Sequence, residues 1–148
     1  MADVLRALAD RAAIQDLVTR YFLACDRRDF ETVTACFTDD AELDYGVFRG
    51  DREHVVACIT RGLTFFLHTM HFGGNILVTL DGDDDARCES YAVCYHRVAS
   101  GDGFVDRVCA LHYRDVLVRR DGAWAIRTRD VTFVWERLDA VTLPPSPR

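Results

Sequence analysis

The sequence predicts an α+β fold in which N-terminal helices pack against one face of a curved, mostly antiparallel sheet. Through the first third of the chain, apolar residues recur at intervals of three and four, which indicates amphipathic helices. From about residue 67 the interval changes to two, which indicates strands, and turn sequences rich in Asp and Gly separate those strands. Helices followed by a run of hairpins are typical of the α+β class.

Three helices and one short strand are predicted in the N-terminal half. The first helix begins near Val4, and its apolar stripe runs through Ile14 and Val18 to Cys25. Asp10 marks a place where this helix is expected to break or restart. The later elements are a short helix at 29–37, a strand at 41–45 and a third helix that starts at 50–51 and ends near 65.

The C-terminal half predicts four longer strands joined as an antiparallel meander. They are expected at 67–80, 86–99, 104–119 and 123–136. The Asp-Gly pair at 121–122 is a strong hairpin signal. Because the Pro-rich C-terminal end cannot extend a sheet, we expect one domain over residues 1–148, with its core at about 8–136 and a tail at 137–148.

Composition excludes several classes of function. The net charge of −6 argues against a basic surface that would bind nucleic acid or an anionic membrane. All 18 basic residues are Arg, so there is no Lys to form a Schiff base. No apolar run approaches the roughly 20 residues that span a bilayer. The six cysteines contain no CxxC pair and the N-terminus does not read as a signal peptide, so we expect reduced cysteines and a cytoplasmic location.

Three polar residues interrupt the apolar pattern. Asp26 continues the stripe of the first helix, so it is either a partly buried acid with a partner or a loop residue that caps the next helix. His71 lies on a predicted strand whose opposite face, with Met70 and Phe72, is expected to pack against the core. His96 shares its strand face with small residues, Cys94 among them, which indicates the floor of a cavity as an alternative to a structural histidine.

Aromatic residues could complete such a cavity. Tyr21 and Tyr45 carry hydroxyls that could reach a ligand oxygen, although each is also a plausible core aromatic. The rings expected to wall the cavity are Phe22, Phe65, Phe66, Phe133 and Trp135. A metal site at His68 and His71 is disfavoured, since an odd offset on a strand sends the two rings to opposite faces.

Five short motifs resemble one known family. Their ranges are 11–17, 21–26, 37–41, 71–75 and 122–126. In this order they resemble the SnoaL-like, scytalone dehydratase-like branch of the nuclear transport factor 2 superfamily. The resemblance covers about residues 8–135 and implies a cone-shaped fold, with the helices in the concavity of a strongly curved sheet.

The resemblance also implies a site. It assigns catalytic roles to Asp26, Tyr45, His71 and His96. It implies that Tyr21 contacts the substrate, because bile-acid dehydratases of the family place a Tyr five residues before the Asp. Arg129 aligns with a pocket Arg of the dehydrochlorinase branch, and we add Phe22, Cys94, Phe133 and Trp135 as further substrate-binding residues. Scytalone dehydratase has a second Tyr at the position of Cys25, so the chain departs from that enzyme there.

Together these features predict a cofactor-independent lyase, most simply a dehydratase, that acts on a hydrophobic cyclic small molecule. A His71–Asp26 pair would take a proton from carbon, while Tyr45 with Tyr21 or His96 would assist the leaving group. An isomerase or polyketide cyclase with the same pocket, a non-catalytic binding module and a subunit-type domain are the alternatives. Arg and Tyr residues alternating on one face of the strand at 86–99 predict a homo-oligomer, either a trimer or a dimer.

Overall fold

Three helices and six strands make up residues 1–141, the part of the chain that the computed structural model describes. The helices are α1 (Ala2–Arg27), α2 (Phe30–Ala35) and α3 (Arg52–Phe65). The strands are β1 (Phe37–Asp44), β2 (Arg49–Asp51), β3 (His68–Leu80), β4 (Asp85–Ser100), β5 (Gly103–Arg120) and β6 (Ala123–Val141). Helices α2 and α3 each have an N-cap aspartate. The side chain of Asp29 accepts a hydrogen bond from the backbone N–H of Thr32 at 3.1 Å, and that of Asp51 accepts one from His54 at 2.8 Å.

All six strands form one sheet in the order β2-β1-β6-β5-β4-β3. The pairing of β1 with β6 is parallel, and every other pairing is antiparallel. The four long strands follow one another as a meander, as the turn sequences predict. The predicted α+β class, with helices against a curved and mostly antiparallel sheet, is confirmed.

Helix α1 fills the concavity of the sheet. Ile14 and Val18 are fully buried, and the side chain of Arg11 donates a hydrogen bond to the backbone carbonyl of Val78 on β3. The helix is continuous, so the break expected at Asp10 is absent; that carboxylate instead accepts a hydrogen bond from the indole of Trp124. In the first two turns the predicted stripe is exposed at Val4, Leu5 and Leu8.

Several element boundaries differ from the prediction. Strand β1 begins at residue 37 instead of 41, and the three-residue strand β2 has no alternating pattern that would announce it. Strand β6 continues to Val141, five residues past the predicted end of the last strand, because it pairs with β5 up to Phe104. Residues 137–141 of the expected tail therefore belong to the sheet, while 142–148 lie outside the described residues.

Register shifts on β3 and β6 change which side chains face the concavity. On β3 the register shifts between Gly74 and Leu77, and Asn75 adopts a positive φ of 51°. On β6, Phe133 pairs with Leu111 but Trp135 pairs with Ala110, so one extra residue lies between them. Side chains that simple alternation places on one face consequently end on opposite faces.

The outer face of the sheet carries exposed apolar and basic side chains. Met70 and Phe72 are 51% and 70% exposed, so the prediction that their face packs on the core is wrong: His71 faces inward instead. Arg87 and Tyr91 of β4 are exposed on the same outer side. Self-association through this face stays a prediction. Within residues 1–141, no helix is both long enough and apolar enough to cross a membrane.

Candidate active site

A carboxylate from α1 meets an imidazole from β3 inside the cone. Asp26 lies in the last turn of α1, and its Oδ1 atom is 2.6 Å from Nδ1 of His71. The second oxygen, Oδ2, accepts the backbone N–H of His71 at 2.9 Å. The two bonds fix both the position and the rotation of the imidazole. Of the two alternatives for Asp26, the structure therefore selects the partly buried acid with a partner.

The electrostatics of this pair favour an ionised carboxylate. Burial alone would raise the pKa of Asp26, but the hydrogen bonds from the side chain and backbone of His71 outweigh it and lower that pKa below its usual range. An ionised Asp26 accepts the Nδ1–H of His71. The imidazole then presents its other nitrogen, Nε2, as the free acceptor.

Aromatic packing holds both histidines. The ring of Phe22 stacks parallel to that of His71 with 6.1 Å between ring centroids, and Phe66 stacks on His96 at 4.5 Å. The two histidine rings meet edge to face with centroids 5.5 Å apart. Gly73 is required here because a Cβ atom at that position would lie 2.5 Å from the ring of Phe22.

A pair of phenols forms the second polar group of the site. The hydroxyls of Tyr21 and Tyr45 are 2.8 Å apart, and Nη1 of Arg129 lies 3.4 Å from that of Tyr45. Burial raises the pKa of both phenols above the ordinary tyrosine value, even though Arg129 opposes the shift. Both phenols therefore stay protonated at neutral pH and can donate a hydrogen bond or a proton.

A fully buried ion pair supports the phenols from behind. The guanidinium of Arg129 bonds both oxygens of Asp115 at 2.7 Å, and neither side chain has any exposed surface. Burial alone would lower the pKa of Arg129, but the Asp115 carboxylate raises it well above the ordinary value. The guanidinium also lies over the ring of Tyr21, 4.3 Å from its centroid.

The histidines and phenols open onto one cavity of about 200 Å³. Its lining is mainly apolar, and its polar members include Tyr21, Tyr45, His71 and His96. Cys25 also contributes to the wall, where burial raises the pKa of its thiol to about 12. It is therefore a neutral thiol at physiological pH and not a nucleophile. Larger depressions on the surface, such as one of about 660 Å³ beside β2, do not include these histidines.

Other predicted site residues lie around this cavity in different ways. Phe133 lines it directly, whereas Phe22 and Cys94 are buried behind its wall, with Cys94 paired across the strands with His71. Arg129 touches the phenols and not the cavity. The structure does not bring Trp135 to the site: the bulge on β6 turns it to the outer face, where it is 44% exposed. Phe65 is 75% exposed and likewise points away, while Phe66 is in the wall.

Sequence reasoning missed part of the lining. Helix α3 supplies Ile59 and Leu63, and Phe48 stacks on Tyr45 with 5.2 Å between centroids. Arg107 of β5 also lines the cavity. A signal for Arg107 exists in the sequence, because a tight turn at 101–102 fixes the hairpin register and sets Arg107 opposite His96.

Comparison with known proteins places the chain in a family. Residues 6–130 match the SnoaL-like domain, which is most of the chain. The chain belongs to the SnoaL-like family, within the nuclear transport factor 2-like superfamily. The resemblance carried by the five sequence motifs is therefore confirmed.

Similar proteins match over most of their length. An uncharacterised protein of Mycobacterium tuberculosis is 31% identical over 135 residues, which span 88% of this chain and 90% of the relative. Hexachlorocyclohexane dehydrochlorinase 1 of Sphingobium indicum is 26% identical over 129 residues, spanning 85% and 82%. A solved structure from Novosphingobium aromaticivorans, provisionally named a scytalone dehydratase, superposes with a TM-score of 0.82 at 24% identity, over 100% of this chain and 99% of that one. This last likeness shows a shared fold.

Proposed function

We propose that this protein is a lyase that removes a proton and a leaving group from adjacent carbons of a small hydrophobic ring, with His71 as the base. The observation that carries the proposal is the pairing of His71 Nδ1 with Asp26 at 2.6 Å on the wall of an apolar cavity. The pairing commits one ring nitrogen to the carboxylate and leaves the other as an acceptor beside the space that a ligand would occupy.

In the first half of the reaction, Nε2 of His71 takes a proton from a ring carbon. The imidazole becomes an imidazolium, and the electron pair of that C–H bond moves toward the adjacent carbon, where the C=C bond forms as the leaving group departs. Asp26 stabilises this positive charge through the bond at Nδ1, and the second bond, to the backbone of His71, prevents the carboxylate from turning away. The pair thus lowers the energy of the charged transition state more than that of the neutral ground state.

In the second half, the bond to the leaving group breaks and the electron pair departs with it. A hydroxide leaving as water takes a proton from the Tyr45–Tyr21 pair or from His96, all of which line the same cavity. The imidazolium of His71 later returns its proton to the group that protonated the leaving hydroxide, or to solvent when chloride leaves, which restores the starting state. None of these steps calls for a metal or an organic cofactor.

The cavity indicates the size and polarity of the substrate. A volume of about 200 Å³ is little larger than the ~150 Å³ cavity that accommodates benzene. The cavity therefore has room for a single six-membered ring. The relative from Sphingobium indicum supports this class, because its name describes the loss of hydrogen chloride from a cyclohexane ring.

The test is elimination from two single-ring probes. The protein is incubated with 3-hydroxycyclohexanone, which would lose water to give cyclohexenone, and with hexachlorocyclohexane, which would release chloride. We expect wild-type protein to convert at least one of them, and His71→Ala to lose on the order of 10²–10⁴ in rate. Tyr45→Phe should slow loss of water more than loss of chloride, since chloride leaves without a proton.

A matched control is available outside the cavity. His112 pairs with Glu89 at 3.2 Å on the outer face of the sheet, so His112→Ala removes an imidazole from a similar His–carboxylate pair. This variant should keep wild-type activity. Full activity in a folded His71→Ala protein would overturn the proposal. Proton exchange at carbon without loss of either leaving group would instead favour the isomerase alternative.

A further inference from the structure

Arg107 adds a positive charge to the cavity wall. It lies on β5 directly opposite His96 of β4, and residues opposite each other in an antiparallel pair point to the same face. Because His96 faces the cavity, the guanidinium of Arg107 does too. His96 lies next to His71, so the three side chains follow one another along the wall.

In the described part of the chain, no carboxylate lines the cavity beside Arg107, and its ion-pair partner Glu136 is not one of the lining residues. Among the described residues that line the cavity, there is no Asp or Glu, and Arg107 is the only Arg. Asp26 lies behind His71, and the Asp115 carboxylate is fully engaged by Arg129. An apolar wall with one cation favours a ligand that is apolar along most of its length and anionic at one end.

Part of the guanidinium is already held and part is free. Nε of Arg107 donates to Oε2 of Glu136 at 2.7 Å, and Nη2 contacts the same oxygen. Within residues 1–141, Nη1 has no hydrogen-bond partner, and the ring of Phe133 lies 5.9 Å from the guanidinium carbon. Arg107 is thus fixed in place by Glu136 and Phe133, with donor capacity remaining for a planar oxyanion.

We propose that Arg107 selects substrates that carry a carboxylate on the ring. The carboxylate would bind the free edge of the guanidinium while the ring lies against the cavity-facing sides of His96 and His71. This inference rests on the proposed function, because it places the ligand in the same cavity and names the substrate class as ring carboxylates. The acceptor geometry of a carboxylate matches the guanidinium fork, whereas a neutral amide offers one oxygen and no charge.

Binding of benzoate and benzamide tests the inference. The two molecules have the same shape but only benzoate is charged, and chemical-shift titration of the His71 and His96 ring protons reports binding in the cavity. We expect Arg107→Gln to weaken benzoate binding about tenfold, the effect of losing a charge-assisted hydrogen bond at a partly exposed site, and to leave benzamide binding nearly unchanged. Arg97→Gln is the matched control, because Arg97 pairs with Asp106 through the same two atoms on the outer face.

A second variant distinguishes recognition of the carboxylate by Arg107 from structural support of the cavity wall by the Arg107–Glu136 pair. Glu136→Gln removes the competing carboxylate, so benzoate should bind as tightly as to wild-type protein or more tightly. Equal weakening of both probes by Arg107→Gln and Glu136→Gln would mean that the pair only maintains the wall, and it would overturn the inference. Failure of both probes to bind wild-type protein would overturn it too. Neither probe has a leaving group, so the result does not depend on whether the protein catalyses elimination.

Discussion

Replacing Asp26 by Asn removes one charge from the site with little change of shape. The amide oxygen can still accept the Nδ1–H of His71, but the amide cannot stabilise the imidazolium electrostatically. Its NH₂ group also replaces the oxygen that accepted the backbone N–H of His71. A carboxylate and an imidazolium with charge centres ~4 Å apart interact by about 4 kcal/mol at an effective dielectric constant of ~20, which corresponds to about a thousandfold in rate. Because the Asp26 side chain is 19% exposed, solvent screens part of this energy, and we expect kcat to fall by about 10²–10³.

The assay for this variant is the initial rate of cyclohexenone formation from 3-hydroxycyclohexanone. Glu89→Gln serves as the control, because Glu89 also pairs with a histidine but lies on the outer face. Thermal unfolding of both variants verifies the fold. If Asp26→Asn retains most of the wild-type kcat in a folded protein, the carboxylate does not stabilise the imidazolium and the argument for the pair fails.

Three further predictions concern packing and charge. Gly73→Ala should destabilise the protein by about 1–3 kcal/mol and reduce turnover, since the new methyl displaces Phe22; unchanged values for both would contradict the packing argument. Arg129→Met should lower the free energy of unfolding, measured with denaturant, by about 3–5 kcal/mol, because it leaves Asp115 charged and unpaired. Adding Asp115→Leu should restore most of that stability. A double variant that is no more stable than Arg129→Met would contradict the prediction. Folding lowers the pKa of the Asp26 carboxyl, so its ionised form stabilises the native state above the unfolded pKa of about 3.9. The difference in unfolding free energy between wild-type protein and Asp26→Asn should therefore be constant above about pH 5 and shrink as the pH falls below about 4. A difference that does not change with pH would contradict this prediction.

Periodicity alone was sufficient to predict the helices and the long strands. The same reasoning located Asp26, because a carboxylate that continues an apolar stripe must find a partner inside the domain. The pattern itself did not reveal which partner. The family resemblance pointed to His71, and the sheet brings that residue past the end of α1 on β3. The pairing of a helix end with a strand distant in sequence is a tertiary property that local pattern does not encode.

The errors in the site have a specific physical origin. Alternation assumes an unbroken period of two, and one extra residue in a strand reverses the face of everything beyond it. Such a bulge separates Trp135 from Phe133, and another on β3 separates Val78, which is buried, from the outward Phe72. Arg107 was missed for a different reason. An Arg in a predicted strand is normally expected to face solvent, and only the hairpin register shows that Arg107 lies opposite His96.

The cone also explains why Arg129 does not contact the cavity directly. Its guanidinium is enclosed by Asp115 and by aromatic rings, so it reaches the cavity only through the hydroxyl of Tyr45. Sequence comparison can align an arginine with a pocket position. Only the arrangement of side chains distinguishes direct contact from support through a phenol.

The central claim is that His71 removes a proton from carbon inside the cavity, and hydrogen–deuterium exchange at carbon measures that step without a leaving group. Cyclohexanone in deuterated water, followed by NMR at the carbons beside the carbonyl, reports it directly. We expect wild-type protein and His112→Ala to accelerate exchange above the buffer rate and His71→Ala to leave it at that rate. Exchange that is equally fast with folded His71→Ala, or no faster than buffer with wild-type protein, would contradict the account.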